Sequence, residues 1–128
     1  MNSEIKKYHY KGFTLVEVLI VVIIIGILAS IGIPQFATSI EKAKGGEARA
    51  YFGHIQTAEK IYYAEKETYT NNLSDLDLNL TQTYWSISIT TPTSITFTAT
   101  ATRSGGTYSG QTIIMDERSN MSGTWEYL

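Results

Sequence analysis

The sequence predicts an α+β fold in which one long N-terminal helix packs on a small C-terminal antiparallel sheet of about four strands. Two observations carry this prediction. An apolar run of 21 residues, from residue 13 to residue 33, lies near the N-terminus. In the last third of the chain, apolar and polar residues alternate with a period of two, as in half-buried strands. The length of 128 residues leaves room for one domain and an appendage.

The apolar run is long enough to cross a membrane. Its only polar residues are Thr14, Glu17 and Ser30. A helix of this length rises roughly 31 Å, which matches the hydrocarbon core of a bilayer, and a helix satisfies its own backbone there. Three lysines precede the run. The positive-inside rule therefore places the N-terminus in the cytoplasm and the residues after the run outside.

Two other structures could contain such a run. One is the core helix of a soluble protein, but the residues that follow offer too little core to surround a helix that is apolar on all sides. The other is a secretory signal peptide, whose apolar region is about 7–15 residues long. The small residues Ala29, Ser30 and Gly32 could imitate its cleavage site.

The stretch "KGFTLVEVLIVVIIIGILASIGIPQF", residues 11–36, resembles the beginning of a type IV prepilin. A short basic leader ends in Gly12, Phe13 follows, and Glu17 is the fifth residue after the glycine. This superfamily includes type IV pilins and the pseudopilins of type II secretion. The resemblance covers residues 6 to about 40. It implies a leader (1–12), a transmembrane assembly helix (13–34) and a globular domain (35–128).

The resemblance also implies roles for individual residues. Gly12 would be the last residue of a leader that a prepilin peptidase removes at the cytoplasmic face. Phe13 would become the N-terminus and be N-methylated. Glu17 would interact with the charged N-terminal amine of a neighbouring subunit. The implied partners are further copies of the chain, the peptidase, and an inner-membrane assembly platform with its ATPase.

The physical chemistry of Glu17 supports an assembly role independently. A carboxylate at the centre of a transmembrane helix costs about 2.5–3.5 kcal/mol, and less near the interface. No basic residue lies between Lys11 and Lys42. We therefore expect Glu17 to be unpaired until it meets an amine created by cleavage, on this chain or on a neighbour. The alternative is a glutamate that is merely tolerated near the membrane surface.

Three residues weaken the apolar helix near its end. Pro34 removes one backbone donor, and Gly26 and Gly32 are poor helix formers. We expect the helix to bend or loosen there, and the resemblance implies that it melts at this point during assembly. Alternatively, Pro34 only marks the exit from the membrane.

A helical pattern then resumes and is expected to continue to about residue 64. Apolar residues recur at spacings of three and four, at Ala48, Tyr51, Phe52, Ile55, Ala58 and Tyr62. Charged residues are expected mostly off this stripe, at Lys42, Lys44, Glu47, Arg49, Glu59 and Lys60. Gly45 and Gly46 are a weak point at which the helix could bend.

Residues 65–83 are predicted to form a loop with one short element. Asp75, Asp77 and Asn79 alternate as the first three ligands of a calcium loop do, but Leu80 and Ser86 replace its glycine and distal glutamate. Calcium is thus a candidate ligand, and no other cofactor is expected. The alternative is a short extended segment with a solvated acidic face, since leucines alternate with these residues.

Residues 84–128 are predicted to form the antiparallel meander. Turns are expected at "TTPTS" and "TRSGGTYSG". The inward-facing residues are expected to be Trp85, Ile87, Ile89, Ile95, Phe97, Ala99, Ala101, Ile113, Met115, Trp125 and Tyr127. The chain has no cysteine, so packing of Trp125 and Tyr127 must hold its C-terminal end.

Composition excludes two classes of function. His9 and His54 are isolated, and no serine or threonine has a base near it in the sequence, so we expect no enzyme activity. After residue 12, seven basic side chains face eleven acidic ones. Binding to nucleic acid depends on Lys and Arg, so no nucleic-acid partner is expected.

Three functions remain. The first is a major type IV pilin, held in the inner membrane before assembly and then part of an extracellular pilus. The second is a type II secretion pseudopilin in a periplasmic filament. The third, from another class, is a membrane-tethered binding module that does not polymerise, for which Glu17 would be dispensable.

Overall fold

A computed structural model describes residues 11–90 and 93–128. Most of the expected leader, including His9, and two residues of the "TTPTS" turn lie outside the described residues. The chain divides into two compact units, with the boundary between Thr38 and Ser39. The elements are α1 (Leu15–Lys66), a short 3₁₀ helix (Leu73–Leu76), β1 (Trp85–Thr90), β2 (Thr98–Arg103), β3 (Thr112–Asp116) and β4 (Met121–Gly123).

Helix α1 runs without interruption through Pro34 and five glycines. It begins two residues later and ends two residues later than expected. At its end Glu67 adopts a left-handed conformation with φ of 56°, and its N–H donates to the Tyr63 carbonyl at 2.8 Å. This is the usual way in which a helix stops and satisfies one of its last carbonyls.

The sheet is the predicted meander, with strand order β1-β2-β3-β4 and every neighbouring pair antiparallel. Register aligns Ile87 with Ala101 and Ala101 with Ile113, so one buried row crosses three strands. Alternate side chains of a strand share a face, which explains why the predicted inward residues of these strands are buried. The buried set in β1, β2 and β3 is Trp85, Ile87, Ile89, Ala99, Ala101, Arg103, Ile113 and Met115.

The face of α1 that packs on this sheet repeats at spacings of four and three. Its buried residues are Glu41, Gly45, Ala48, Phe52, Ile55 and Glu59. The prediction for Ala48, Phe52 and Ile55 is confirmed. The expectation that Glu59 lies off the stripe is wrong, because a residue four positions after Ile55 faces the same way whatever its polarity.

The prediction that Ile95 faces inward is also wrong, because its side chain is 68% exposed. The Thr93 hydroxyl accepts from the backbone N–H groups of Ile95 and Thr96 at 3.3 and 2.9 Å, and the Thr93 N–H donates to the Thr96 carbonyl at 2.7 Å. These bonds close a turn that ends before β2 begins at Thr98. Ile95 therefore belongs to a turn, and strand alternation does not apply to it.

Trp125 and Tyr127 follow β4 instead of lying in it. The N–H groups of Thr124 and Trp125 both donate to the Thr112 carbonyl, at 2.9 and 3.0 Å. Gly123 makes this possible with φ of 143°, where a side chain would overlap that same carbonyl. Trp125 is buried and Tyr127 partly buried, so their predicted packing role is confirmed.

Gly45 is a packing position. Its missing side chain makes room for the Trp125 indole ring, which a Cβ at this position would overlap. The Trp125 ring in turn meets Trp85 edge to face at 5.3 Å between centroids, and the Trp85 indole N–H donates to the Lys44 carbonyl at 2.8 Å. Helix α1 continues through Gly45 and Gly46, and Gly45 is required for close approach.

A buried ion pair also joins α1 to the end of β2. The guanidinium of Arg103 donates from Nε to Glu41 Oε1 at 2.7 Å and from Nη2 to Oε2 at 3.3 Å. Lys44 adds a contact of 3.3 Å to the same carboxylate. The hydrogen bond from Arg103 is the main reason why the pKa of Glu41 is lowered. Ionised Glu41 therefore stabilises the fold.

Replacing Gly45 with alanine should destabilise Ser39–Leu128 by about 1–3 kcal/mol, the usual cost of overpacking a filled core. Gly46→Ala is the matched control, since nothing lies within 4 Å of a Cβ there. It should be neutral or stabilise by up to about 1 kcal/mol, because alanine is the better helix former. Urea unfolding of the full chain in detergent, followed by fluorescence of Trp85 and Trp125, measures both. Equal stabilities of the two variants would contradict the packing role.

Replacing Glu41 with glutamine should cost about 3–5 kcal/mol at pH 7, because Arg103 loses its charged partner inside the protein. Since the pKa of Glu41 is lowered by folding, its contribution is complete above the pKa of the unfolded chain. It is lost as the pH falls through the folded value. The difference between wild type and variant should therefore shrink from pH 7 to pH 3.

Glu126→Gln, which changes an exposed carboxylate, should alter stability by no more than about 0.5 kcal/mol. Urea unfolding of the wild type and both variants at pH 7 and pH 3 measures these differences in stability. A Glu41→Gln cost that stays constant with pH would show that the charge of Glu41 is not the source of its effect.

Candidate assembly segment

Thr14 and Glu17 cap the beginning of α1 reciprocally. The Thr14 N–H donates to Glu17 Oε2 at 2.7 Å, and the Glu17 N–H donates to the Thr14 hydroxyl at 3.1 Å. Because Leu15 is the first helical residue, this is a capping box, which satisfies two of the N–H groups that a helix start leaves free. The pattern "TLVE" is typical of a capping box, which was not among the sequence-based predictions.

The capping box gives the Glu17 carboxylate a hydrogen-bond partner, while its expected pairing with a positive charge stays a prediction. One carboxylate oxygen accepts from a backbone N–H, and a negative charge in the first turn is also favoured by the helix dipole. Neither interaction supplies a positive charge. Both members of the box lie after the Gly12–Phe13 bond, so the same atoms remain in a chain cut at that bond.

Gly12 and Phe13 precede the helix, in a stretch with no regular secondary structure, and both are exposed. Phe13 is 90% exposed. A peptide bond in such a stretch is accessible to a peptidase, whereas a bond inside a helix is not. The structure thus leaves the predicted cleavage point outside α1.

The first part of α1 presents apolar side chains on every side. The large apolar residues from Val16 to Phe36 are each more than half exposed. Among the described residues α1 is the one helix that is long and apolar enough to cross a membrane, and a stretch of 18 residues in it has a mean hydropathy of 2.9. Exposing such a surface to water costs about 25 cal/mol for each Å². The segment therefore suits lipid or the helices of other subunits.

Gly26, Gly32 and Pro34 all lie within this segment of α1. A Cβ at either glycine would have no neighbour within 4 Å, so neither is needed for packing inside this chain. The Ser30 hydroxyl donates to the Ile27 carbonyl at 2.7 Å, and the Thr38 hydroxyl to the Pro34 carbonyl at 3.2 Å. These side chains supply additional donors around the proline. The bend itself stays a prediction.

The candidate calcium residues lie around the 3₁₀ helix. Asp75 accepts from the Thr70 hydroxyl at 2.9 Å and from Asn72 Nδ2 at 3.2 Å, and Asp77 ends the helix with φ of 51°. The expected extended geometry is wrong at Asp75, which is helical. Across residues 11–90 and 93–128, no group of three or more His, Asp or Glu side chains is placed to hold a metal ion. Calcium stays a prediction.

Two family models match the chain. One is described as the prokaryotic N-terminal methylation motif and matches residues 7–33. The other is described as "Type IV minor pilin ComP, DNA uptake sequence receptor" and matches residues 34–112, more than half of the chain. The boundary between the two matches falls at Pro34.

Individual relatives match about half of the chain. The type IV major pilin protein PilA of Myxococcus xanthus is 41% identical over 66 residues, which cover 52% of this chain and 30% of that protein. The type IV wide pilus major component PilA4 of Thermus thermophilus is 36% identical over 66 residues, covering 52% of this chain and 50% of that protein. The type II secretion system core protein G of Aeromonas hydrophila is 33% identical over 72 residues, covering 56% and 50%.

The matched segments span half or less of the length of these relatives. The family models, however, account for residues 7–112 between them. This chain belongs to the type IV prepilin superfamily and, through residues 34–112, to the family of the type IV minor pilin ComP.

Proposed function

We propose that this chain is the repeating subunit of a type IV pilus, a structural protein that polymerises through its N-terminal helix. One observation carries the proposal: the exposed apolar part of α1 begins with a capped glutamate that forms no ion pair with any described residue. Several relatives that match part of this chain are named as major pilus or fimbrial proteins. The proposed role needs no catalytic site and no cofactor.

The chemistry of assembly follows from the capping box. Removal of residues 1–12 by a prepilin peptidase would turn the Phe13 nitrogen into a positively charged amine, which is then N-methylated. Thr14 already donates to Glu17 Oε2, so Oε1 is the oxygen that can accept from the amine of a neighbouring subunit. At about 4 Å and an effective dielectric near 20, such a pair contributes roughly 4 kcal/mol before desolvation. Its specific geometry favours one axial register.

The proposed sequence of locations follows from the same helix. Before assembly the chain would span the inner membrane once, with its N-terminus in the cytoplasm and Ser39–Leu128 outside. An assembly platform and its ATPase would then extract it into an extracellular filament. Moving an apolar helix from lipid into a bundle of identical helices keeps its surface away from water.

A pseudopilin of a type II secretion system is the second candidate. It is favoured by the similarity to core protein G of Aeromonas hydrophila and of Pectobacterium carotovorum, at 33% and 29% identity. The same helix and the same Glu17 would then build a short periplasmic filament. The two candidates share their assembly chemistry. They differ in the location of the filament, which is extracellular for a pilus and periplasmic for a pseudopilus.

Nucleic acid is not among the proposed partners, although the description of one matching family names a DNA uptake sequence receptor. Three cations near the start of Ser39–Leu128 lie over aromatic rings of the same chain: Lys42 over Tyr127, Lys44 over Tyr84 and Arg49 over Trp125. Acidic residues outnumber basic ones after residue 12. Retention of labelled duplex DNA by purified filaments at 0.15 M salt would contradict this proposal.

Mass spectrometry of the protein from native cells tests the proposal directly. We expect a mass that lacks residues 1–12 and carries one added methyl group, most abundant in material sheared from the cell surface. The same mass retained in washed envelopes would support the pseudopilin. An uncut chain in both fractions would refute both candidates.

Replacing Glu17 with alanine should reduce the yield of sheared filaments at least tenfold, since a lost contact of 1.4 kcal/mol per subunit already has that effect. Glu17→Gln separates charge from capping, because an amide oxygen can still accept from Thr14 but cannot pair with a cation. Glu65→Ala, a change at an exposed glutamate of the same helix, is the matched control.

Both Glu17 variants should remain processed and membrane-bound while filaments disappear. Immunoblots of sheared and envelope fractions measure this. Normal filament yield from Glu17→Gln would show that the charge of Glu17 is dispensable and would contradict its proposed pairing with the amine of a neighbouring subunit.

A further inference from the structure

Glu59 is a carboxylic acid enclosed in the protein core. Its side chain is fully buried at the last position of the helix face that packs on the sheet. Oε2 accepts from the Thr70 N–H at 3.1 Å, while Oε1 has no hydrogen-bond partner among the described residues. Glu41, at the other end of the same face, is paired with Arg103. No such cation meets Glu59 in the part of the chain that the structure describes.

The single bond from Thr70 to Glu59 begins a chain of contacts through the segment that follows α1. The Thr70 hydroxyl donates to Asp75 and accepts from the Asn72 N–H at 3.1 Å. The Asn72 side chain in turn caps the 3₁₀ helix by accepting from the Ser74 N–H at 3.1 Å. We call residues 68–77 the tethered segment, because Glu59 joins it to the core.

Tyr69 of the tethered segment is a titratable group that interacts electrostatically with Glu59. The pKa of Tyr69 is raised first by burial and then by its interactions with Tyr63 on α1, Glu117 in the turn after β3, and Glu59. Glu117 itself pairs with Arg118 at 3.6 Å. The Tyr69 ring packs against Tyr63 at 4.8 Å and Phe97 at 5.0 Å between centroids. Glu59 thus lies near the aromatic Tyr69, and no ion pair reaches it among the described residues, which disfavours a charge on Glu59.

We propose that Glu59 is a pH-sensitive latch: its neutral carboxyl group holds the tethered segment on α1, and its ionised carboxylate releases it. An isolated buried charge is costly, whereas a neutral carboxyl accepting one backbone hydrogen bond is tolerated. The latch is a property of one chain and does not depend on polymerisation, so it is separable from the proposed pilus function.

The direction of the pH dependence follows from linkage. Burial raises the pKa of Glu59, and the hydrogen bond from Thr70 opposes this only in part. In the released state the carboxyl group is hydrated and titrates at its ordinary value, so the held state binds the proton more tightly. The held state is therefore most stable below about pH 4.5 and loses stability as the pH rises towards the raised value. Above that value the dependence ends.

Hydrogen exchange of the full chain in detergent micelles tests the latch. Amide protection in the tethered segment would be measured from pH 4.5 to pH 8, relative to an unstructured peptide of the same sequence. We expect wild-type protection at Thr70 to fall at least tenfold over this range. Glu59→Gln, which keeps an acceptor oxygen but cannot ionise, should change less than twofold. Glu65→Gln, at an exposed glutamate of the same helix, should behave as the wild type.

Parallel pH profiles for all three proteins, or wild-type protection that rises with pH, would overturn the proposal. Amides from Ala48 to Ile55 serve as the internal reference for an intact fold. A second measurement needs no variant: ¹³C spectra of the glutamate carboxyl groups should contain one signal that titrates well above the others and disappears in Glu59→Gln. Titration of every glutamate at its ordinary value would refute the latch even if the variant failed to fold.

Discussion

The close contact between α1 and the sheet is the constraint on which the rest of the domain depends. Gly45 lets the Trp125 ring lie directly on the helix, and Trp125 meets Trp85, whose indole donates back to the Lys44 carbonyl. These contacts hold α1, near Lys44 and Gly45, against Trp85 of β1 and against Trp125 near the end of the chain. A bulkier residue in place of Gly45 would push the tail away and open the core at that point.

A chain without cysteine must hold its C-terminal residues by non-covalent contacts, and here several weak ones converge. The Tyr127 hydroxyl lies 2.8 Å from that of Tyr108, and the Tyr127 carbonyl accepts from Arg49 at 3.3 Å. The Glu126 N–H donates to Gln111 at 3.2 Å. Each bond contributes only about 1 kcal/mol, so the tail is held by their number and by the buried Trp125.

The two buried glutamates lie on the same face of α1, yet their surroundings shift their pKa values in opposite directions. Glu41 faces Arg103 and is favoured as an anion, whereas Glu59 faces tyrosines and is favoured as a neutral acid. At one end of this helix face, the ion pair of Glu41 with Arg103 holds α1 on the sheet. At the other end lies Glu59, whose neutral form is favoured. Acid conditions weaken the first contact and strengthen the second, and this opposition is what the pH experiments separate.

The sequence alone determined the α+β fold, the apolar helix and the antiparallel meander, because period and membrane length are local properties. The expected roles of Gly12, Phe13 and Glu17 came from the resemblance of residues 11–36 to a prepilin. Even the capping box was readable from "TLVE". Tertiary structure alone decided that Gly45 is a contact with Trp125, that Arg103 pairs with Glu41 across 62 residues, and that Glu59 is buried without a cation. Those outcomes depend on which distant side chains meet a face, and the spacing within one helix holds no information about them.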